Sequence, residues 1–231
     1  MTNKQKQHLV IFSGAGISAE SGINTFRGND GLWENHRIDE VATPQAFANN
    51  PELVLRFYNE RRKQVIAAQP NKAHLAIAEA ENHFNVTVVT QNIDDLHERA
   101  GSTRVHHLHG EIRKSRPVND STRIFPIDGA NLALGDCCPN GIQLRPHVVW
   151  FGETVPMYES CIPIIQSADV LIVVGTSLQV YPAAGLIDFA PESTKKYLVD
   201  PSFKDNLRGH FNVINKTAEA GIPRLLKNLS V

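Results

Sequence analysis

A glycine-rich segment near the start of the chain has the residue types that surround a bound nucleotide phosphate. Residues 13–28, "SGAGISAESGINTFRG", follow the apolar run "HLVIF" and hold four glycines. Gly14 and Gly16 allow a backbone to approach a diphosphate closely, and the N-terminus of a following helix would attract its charge. However, Ala19 stands where the fingerprint G-x-G-x-x-G has its third glycine. A tight β-to-α turn without a ligand is therefore the alternative interpretation.

A second polar segment, "TQNID" at 90–94, lies where another apolar run ends. Ligands of open α/β sheets bind outside the carboxyl ends of the strands. Gln91, Asn92 and Asp94 would stand at such an end, where they could hydrogen-bond an amide or a ribose. The alternative is a helix N-cap, in which Asn92 or Asp94 starts the helix "DDLHERA". That alternative accounts for one of the three polar residues and not for all of them.

A candidate general base lies in "VHHLHG" at 105–110. Strand alternation places His107 and His109 on one face and His106 on the other. His109 would stand at the carboxyl edge of the strand, above the predicted site, and the ordinary pKa of a histidine lies near neutrality. For His106 and His107 we favour core histidines with satisfied hydrogen bonds. A pair of transition-metal ligands is the other possibility.

A third polar turn, "GTS" at 175–177, follows the most apolar run of the chain. It could hold another part of a nucleotide, or it could be a plain helix N-cap. Phe26 and Arg27 lie just beyond the glycine-rich turn. An arginine there could hold a phosphate or a ribose and an aromatic ring could cover a reacting sugar; the alternative is a surface arginine and a core phenylalanine.

The apolar runs before these turns are typical of strands buried on both faces of a parallel sheet, because they are rich in β-branched residues and nearly unbroken. The predicted strands cover 8–12, 85–92, 104–110, 147–153, 168–177, 195–199 and 211–215. Helical patterns lie between them, at 51–69, 71–82, 155–168 and 217–229. This alternation predicts an α/β fold with a doubly wound, Rossmann-like parallel sheet.

Two segments interrupt the alternation. Residues 29–70 carry helical patterns but no strand, which predicts a helical excursion from the sheet. Residues 111–146 are polar, with several prolines and glycines, which predicts a small module or a long loop. The rest of a single domain spanning 1–231 would form the Rossmann-like part, at 1–28, 71–110 and 147–231.

Composition restricts the partners and the compartment. The 231 residues carry a net charge of −1, so no basic surface favours nucleic acid. We see no signal peptide, and the run "VLIVVG" is too short to span a bilayer. Three cysteines, two of them adjacent, make a disulfide framework unexpected. We therefore expect a cytoplasmic protein that binds neither membrane nor nucleic acid.

As a set, these segments resemble the sirtuin family of NAD-dependent protein deacylases. The resemblance rests on "GAGISAESGINTFRGNDGLWE" (14–34), "TQNIDDLHERAG" (90–101), "HLHGE" (107–111), "LRPHVVWFGE" (144–153) and "GTSLQVYPAAG" (175–185). These motifs stand in family order and span most of the chain. "SAESGI" and "FYNERR" make the chain most similar to bacterial class III members, which remove acidic acyl groups.

The resemblance implies NAD as a co-substrate and acyl-lysine proteins or peptides as partners of a monomeric enzyme. His109 would be the catalytic base, acting with Asn92 and Asp94. The implied NAD contacts are Gly14, Ala15, Gly16, Ser18, Glu20, Thr25, Phe26, Arg27, Trp33, Gln91, Asn92, Ile93, Asp94, Gly175, Thr176, Ser177, Leu198, Val199, Asp200 and Ala218. The implied substrate contacts are Tyr58, Arg61, Val149, Phe151, Gly152, Glu153, Leu178 and Val180, with the peptide bound as an added strand.

The implied reaction is a displacement at a sugar. The acyl-lysine oxygen attacks the nicotinamide ribose, nicotinamide leaves, and His109 takes a proton from a ribose hydroxyl that then attacks the acyl carbon. Free lysine and O-acyl-ADP-ribose are the products. Tyr58 and Arg61, three residues apart on one helix, match the class III "Y-x-x-R" pattern that recognises succinyl or malonyl lysine; a solvated helix face is the alternative.

The chain departs from the family pattern at three places. Asn24 replaces the usual proline, Asp200 stands where an asparagine is more common, and the four zinc cysteines are missing. Cys137 and Cys138 are adjacent, and "KSRPVND" occupies the place of the first cysteine pair. We therefore expect no zinc, and a module held by backbone pairing and by apolar contacts of Ile124, Phe125 and Ile127.

Two other functions are compatible with parts of the pattern. An NAD(P)-dependent oxidoreductase would need the complete glycine fingerprint and an acidic residue that closes the next strand. The chain offers neither convincingly. An ADP-ribosyltransferase or a non-catalytic ADP-ribose-binding module would use the same fold, but His109 beside a peptide cleft favours deacylation.

Overall fold

The computed structural model describes residues 6–24, 32–33, 36–202 and 211–230. Its strands, in chain order, are β1 (His8–Ser13), β2 (Leu32–Trp33), β3 (His36–Arg37), β4 (Asn85–Thr90), β5 (Val105–His107), β6 (Gly110–Pro117), β7 (Phe125–Pro126), β8 (Leu144–Val148), β9 (Val170–Val174), β10 (Lys195–Val199) and β11 (Asn212–Ile214). The helices are α1 (Ile38–Val41), α2 (Pro44–Asn49), α3 (Pro51–Ala67), α4 (Lys72–Glu79), α5 (Leu96–Ala100), α6 (Tyr158–Gln166) and α7 (Ala218–Leu229). Among the described residues, no helix has both the length and the apolar composition that crossing a membrane requires.

The predicted α/β fold with a parallel sheet is confirmed. The main sheet has six strands in the order β11-β10-β9-β1-β4-β5, and every neighbouring pair is parallel. The two neighbours of β1 are β4 and β9, which are far apart in the sequence. Strand order therefore reverses at β1, and such a reversal opens a crevice at the carboxyl ends of the strands.

The central strand shows why its sequence is unbroken in apolar residues. Leu9 and Ile11 pack with α4 and α7 in one core layer, whereas Val10 and Phe12 pack with α6 in the other. All four side chains are 0% exposed. Because helices cover both faces of the sheet, the side chains that β1 directs to either face can be apolar.

The predicted strand at 147–153 is wrong. Strand β8 ends at Val148 and pairs antiparallel with β6, in a small sheet of order β7-β6-β8 that is separate from the main sheet. The apolar character of this run has another cause, because Val148 and Trp150 pack against the helices of the 29–70 segment. That segment also departs from its prediction, since β2 and β3 form a short antiparallel pair within it.

A fully buried arginine joins the small sheet to α3. Arg62 is 0% exposed and donates from Nε to the carbonyl oxygen of Ile112 over 2.6 Å. Its Nη1 donates to the Ala130 carbonyl and to Asn59 Oδ1, each over 2.8 Å. Burial lowers the pKa of Arg62 to about 10, helped by the nearby charge of Arg113. The guanidinium still carries its charge at neutral pH and satisfies carbonyls that the module cannot pair itself.

Within the module, one amide side chain joins several turns. Gln143 donates from Nε2 to the carbonyls of Ala133, Asp136 and Leu144, and its Oε1 accepts from Gly135 N–H over 2.8 Å.

The predicted apolar contacts of the module are only partly correct. Ile127 is buried against Leu55 and Leu132. Ile124 is 45% exposed, so its predicted packing role is wrong, because it lies on the outer edge just before β7.

We expect Arg62→Met to lower the free energy of unfolding by about 3 kcal/mol, because it leaves buried carbonyl acceptors without a donor. Urea denaturation measures the effect. Lys63→Met is the matched control, because Lys63 is exposed and pairs only with Glu60 one helical turn away. Equal stability of the two variants would contradict the role assigned to Arg62.

Candidate active site

The turns that follow β1, β4 and β9 meet around a cavity of about 280 Å³. The structure brings most of the predicted residues to it. From the predicted NAD set, the lining includes Gly14, Ala15, Gly16, Ser18, Gln91, Asn92, Ile93, Asp94, Gly175, Thr176 and Ser177. The predicted base His109 and the predicted substrate residues Tyr58, Arg61, Val149, Phe151, Gly152, Glu153 and Val180 line the same cavity.

Several predicted residues do not line this cavity. Leu198, Val199 and Ala218 are buried in the core, and Leu178 packs into the core layer that contains Phe12. Asp200 is 3% exposed at the end of β10. Glu20 accepts a hydrogen bond from Glu219 N–H. Thr25, Phe26, Arg27 and the side chain of Trp33 lie outside the described residues, so their roles stay predictions.

The glycines of the first turn allow close contact with the turn after β9. Gly16 N–H donates to the carbonyl of Gly175 over 2.8 Å. A Cβ atom on Gly16 would lie 2.7 Å from the Cα of Gly175, which is too close for any side chain. Gly175 itself has a φ of +64°. The two turns therefore form one continuous floor.

The helix predicted after this turn is absent from the described residues. Two short 3-10 turns, Ala15–Ile17 and Ala19–Ser21, replace it, and Gly22 then ends the segment with a φ of +86°. Among the described residues, this turn therefore presents backbone N–H groups and side chains to the cavity, not the N-terminus of an α-helix.

A buried polar network connects the first turn to the turn after β4. Asn92 Nδ2 donates to Ser18 Oγ over 3.1 Å, and Ser18 Oγ donates to Asp94 Oδ2 over 3.0 Å. All three residues are less than 10% exposed. Burial raises the pKa of Asp94, and hydrogen bonds from Leu96 N–H and Ser18 partly oppose that shift. Asp94 Oδ1 also accepts from Leu96 N–H at the start of α5, but the N-cap of that helix is Asp95, so the N-cap alternative is wrong for Asn92 and Asp94.

His109 has the hydrogen bond that a general base requires. Its Nδ1 lies 2.9 Å from the carbonyl oxygen of Gln91, which can only accept, so Nδ1 carries the proton. The neutral ring then has an unprotonated Nε2. Burial lowers the pKa of His109, partly opposed by the Gln91 carbonyl. The imidazole is therefore neutral at physiological pH and ready to accept a proton.

The other wall of the cavity belongs to α3 and to the segment after β8. Tyr58 is fully buried, and its hydroxyl oxygen accepts from Trp150 Nε1 over 3.0 Å. Burial raises the pKa of Tyr58, so the phenol stays protonated. Arg61 lies one turn further along α3 and is 6% exposed. The predicted pair thus lies on one helix face beside the cavity, and the solvated alternative does not fit this burial.

Two arginines hold Glu153, which we expected to contact substrate. Arg145 binds the carboxylate through both terminal nitrogens, over 2.7 and 3.1 Å, and Arg116 adds a contact over 3.2 Å. The Arg145 guanidinium also stacks 3.2 Å above the centre of the Trp150 ring. Sequence reasoning missed both Arg145 and Trp150, although the quoted motif "LRPHVVWFGE" contains them. The side chain of Glu153 therefore fixes this wall of the cavity.

The same segment has backbone groups that are already paired. The N–H groups of Val149, Phe151 and Glu153 donate to carbonyls of the chain itself, at His109, Ala42 and Trp150. These hydrogen bonds fix the segment after β8 against the rest of the chain.

Among the described residues, no three His, Cys, Asp or Glu side chains converge as a metal ion would require. Cys137 is exposed, whereas Cys138 is buried. Cys137 and Cys138 therefore do not belong to a tetrahedral ligand set among the described residues.

Comparisons with known proteins agree with this geometry. The Sir2 family model matches residues 14–182. An NAD-dependent protein deacylase of Helicobacter pylori is 49% identical over 224 residues, covering 96% of this chain and 97% of the relative. One of Aggregatibacter actinomycetemcomitans is 52% identical over 197 residues, covering 85% and 94%.

Solved structures give the same result. A mutant Sir2 homologue in complex with ADP-ribose superimposes with a TM-score of 0.88 at 40% identity, covering 98% of this chain and 94% of that one. A Sir2 homologue in complex with NAD has a TM-score of 0.85 at 40% identity, covering 97% and 90%. With the family match across residues 14–182 and relatives near half identity over most of its length, this chain belongs to the Sir2 family, the sirtuins.

Proposed function

We propose that this protein is an NAD-dependent protein deacylase that removes acyl groups from lysine side chains. The observation that carries the proposal is the position of His109, whose ring is held by the Gln91 carbonyl in one cavity with the Ser18–Asn92–Asp94 network and the Tyr58–Arg61 wall. The relatives named as NAD-dependent protein deacylases support it.

The residues present fit NAD as a co-substrate. The close backbone approach at Gly16 and Gly175 leaves part of the cavity floor without side chains, which lets a diphosphate approach the backbone. Asn92 and Asp94 offer an amide and a carboxylate for the ribose and the nicotinamide. When bound, NAD supplies the ribose carbon at which the acyl oxygen displaces nicotinamide.

His109 would act after nicotinamide has left. Its unprotonated Nε2 takes a proton from a ribose hydroxyl, which can then attack the acyl carbon. Asn92 and Asp94 would orient the ribose. With one water molecule consumed, deacylated lysine and O-acyl-ADP-ribose are the expected products.

We expect His109→Ala to lower the deacylation rate roughly 10²–10⁴-fold, the usual contribution of a general base. NAD binding and the melting temperature should stay near those of the wild type. His83→Ala is the control, because His83 is an exposed histidine outside the cavity. Since burial depresses the pKa of His109, wild-type activity should persist below the ordinary histidine range and fall only at lower pH. Retained activity in His109→Ala, or loss of its folding, would refute the assignment.

We further propose that Tyr58 and Arg61 give the enzyme activity on succinyl and malonyl lysine as well as acetyl lysine. A buried guanidinium can bind a carboxylate through two hydrogen bonds, and a protonated phenol adds a donor. Both side chains line the cavity, and Arg61 is 6% exposed. A succinyl carboxylate would thus find a charge partner in a dry environment, where such pairing is strongest.

Arg61→Met should cost roughly 1.5–3 kcal/mol in kcat/KM for a succinyl-lysine peptide, the worth of a charged hydrogen bond. Activity on the matched acetyl peptide should survive, because the acetyl group has no charge to pair. Arg56→Met is the control, since Arg56 is exposed on the same helix. Equal losses on both peptides would mean that Arg61 maintains the cavity and does not select the acyl group.

We also propose that the module of residues 111–146 folds without zinc. Arg62 and Gln143 supply cross-links to and within it, where a metal would otherwise tie the turns together. Elemental analysis of the purified protein should give well under one zinc per chain. One zinc per chain would refute this proposal.

The three cysteines are unpaired, as is usual in a reducing compartment. We propose that the enzyme acts in the cytoplasm as a monomer on acyl-lysine proteins. A solved complex titled "Sir2-p53 peptide-NAD+", which is 31% identical with a TM-score of 0.79, supports a peptide substrate.

A further inference from the structure

His107, two residues before the proposed base His109, makes hydrogen bonds that burial alone does not explain. His107 is the last residue of β5, and its side chain is 7% exposed. We predicted a satisfied core histidine at this position, and the ring is indeed buried with partners at both nitrogens. Those partners connect it to the active site.

Both ring nitrogens of His107 face groups that accept hydrogen bonds. Nδ1 lies 2.9 Å from the carbonyl oxygen of Asn92, and Nε2 lies 2.7 Å from Glu98 Oε1. A neutral imidazole has only one N–H, so it would leave one acceptor facing a lone pair. Only the imidazolium satisfies both contacts.

The two histidines hold successive carbonyls of one turn. His109 Nδ1 contacts the carbonyl of Gln91, whereas His107 contacts that of Asn92. Leu108 lies between them, is 0% exposed, and donates its N–H to the Thr90 carbonyl. The alternation of β5 therefore places both rings beneath the Gln91–Asn92 turn, with Leu108 anchored in the core.

The charges around His107 come from several elements. Glu98 on α5 is its direct partner, and Glu111 on β6 adds a further negative charge. Burial works against its charge, but the Glu98 hydrogen bond and both carboxylates outweigh it, so the pKa of His107 is raised. Burial lowers the pKa of the neighbouring His97 and His106, and the His107 cation adds to both shifts. Burial raises the pKa of Asp94, and the His107 charge partly opposes that shift.

We propose that the Glu98–His107 ion pair is a positioning device for the nicotinamide site. The imidazolium clamps the Asn92 carbonyl, so that the Asn92 side chain meets Ser18, which in turn donates to Asp94. Neither residue of the pair lines the cavity, so it acts through Asn92 and Asp94. The inference rests on the proposed roles of those two residues.

The sign of the pH dependence follows from the charge. The His107 cation is present below its raised pKa and is lost as pH rises through it. The kcat/KM for NAD should therefore fall at alkaline pH in the wild type. In Glu98→Gln, which keeps the shape but removes the carboxylate charge, this fall should move to lower pH. In His107→Gln, kcat/KM should be about 10-fold lower, the effect of losing one charged hydrogen bond, and the alkaline fall due to His107 should vanish.

The experiment combines these pH profiles with NMR titration of the histidine rings. We expect a His107 pKa above the ordinary histidine value in the wild type and a lower one in Glu98→Gln. Glu79→Gln is the control, because it makes the same chemical change on the exposed end of α4. Glu98 is 40% exposed, so its replacement by glutamine should leave folding intact.

An unshifted alkaline fall in Glu98→Gln, or a wild-type His107 pKa at or below the ordinary value, would overturn the proposal. A purely structural role would lower the melting temperature without moving the pH profile, and that result would overturn it too. Failure of the proposed function gives a different result, because the wild type would then release no nicotinamide with an acyl peptide.

Discussion

The site depends on the close approach of two backbones at the carboxyl ends of β1 and β9. Gly16 donates to the carbonyl of Gly175 over 2.8 Å, and their packing leaves no room for a side chain on either residue. This contact forms the floor of the crevice that lies where the strand order reverses. It also fixes Ser18 beside the turn after β4, where it meets Asn92 and Asp94. The geometry of this polar network is therefore set by the packed ends of β1 and β9.

A second junction, between β5 and β6, positions the proposed base His109. Gly110 has a φ of +79°, and a Cβ there would collide with the carbonyl oxygen of His147. The chain can therefore turn directly from β5 into β6, and His109 lies at the point where the parallel sheet passes into the small antiparallel one. Its carbonyl accepts from Val149 N–H. The proposed base is thus held through its ring by Gln91 and through its backbone by Val149.

The sequence predicted the elements with clear local signals. Unbroken apolar runs predicted the parallel strands, because a strand buried on both faces needs no polar residue. The prediction failed where one sequence pattern can have two structural causes. The run at 147–153 is apolar because Val148 and Trp150 pack on the helical segment, and periodicity cannot separate this from a central strand. The role of His107 depends on Glu98, nine residues earlier, whose contact with it appears only when α5 packs beside β5.

Cleavage of NAD in this cavity for acyl transfer can be tested directly by measuring nicotinamide release with and without an acyl-lysine peptide. We expect release that depends on the peptide, with one deacylated lysine for each nicotinamide and no absorbance of NADH. Release at the same rate without the peptide, or formation of NADH, would contradict it.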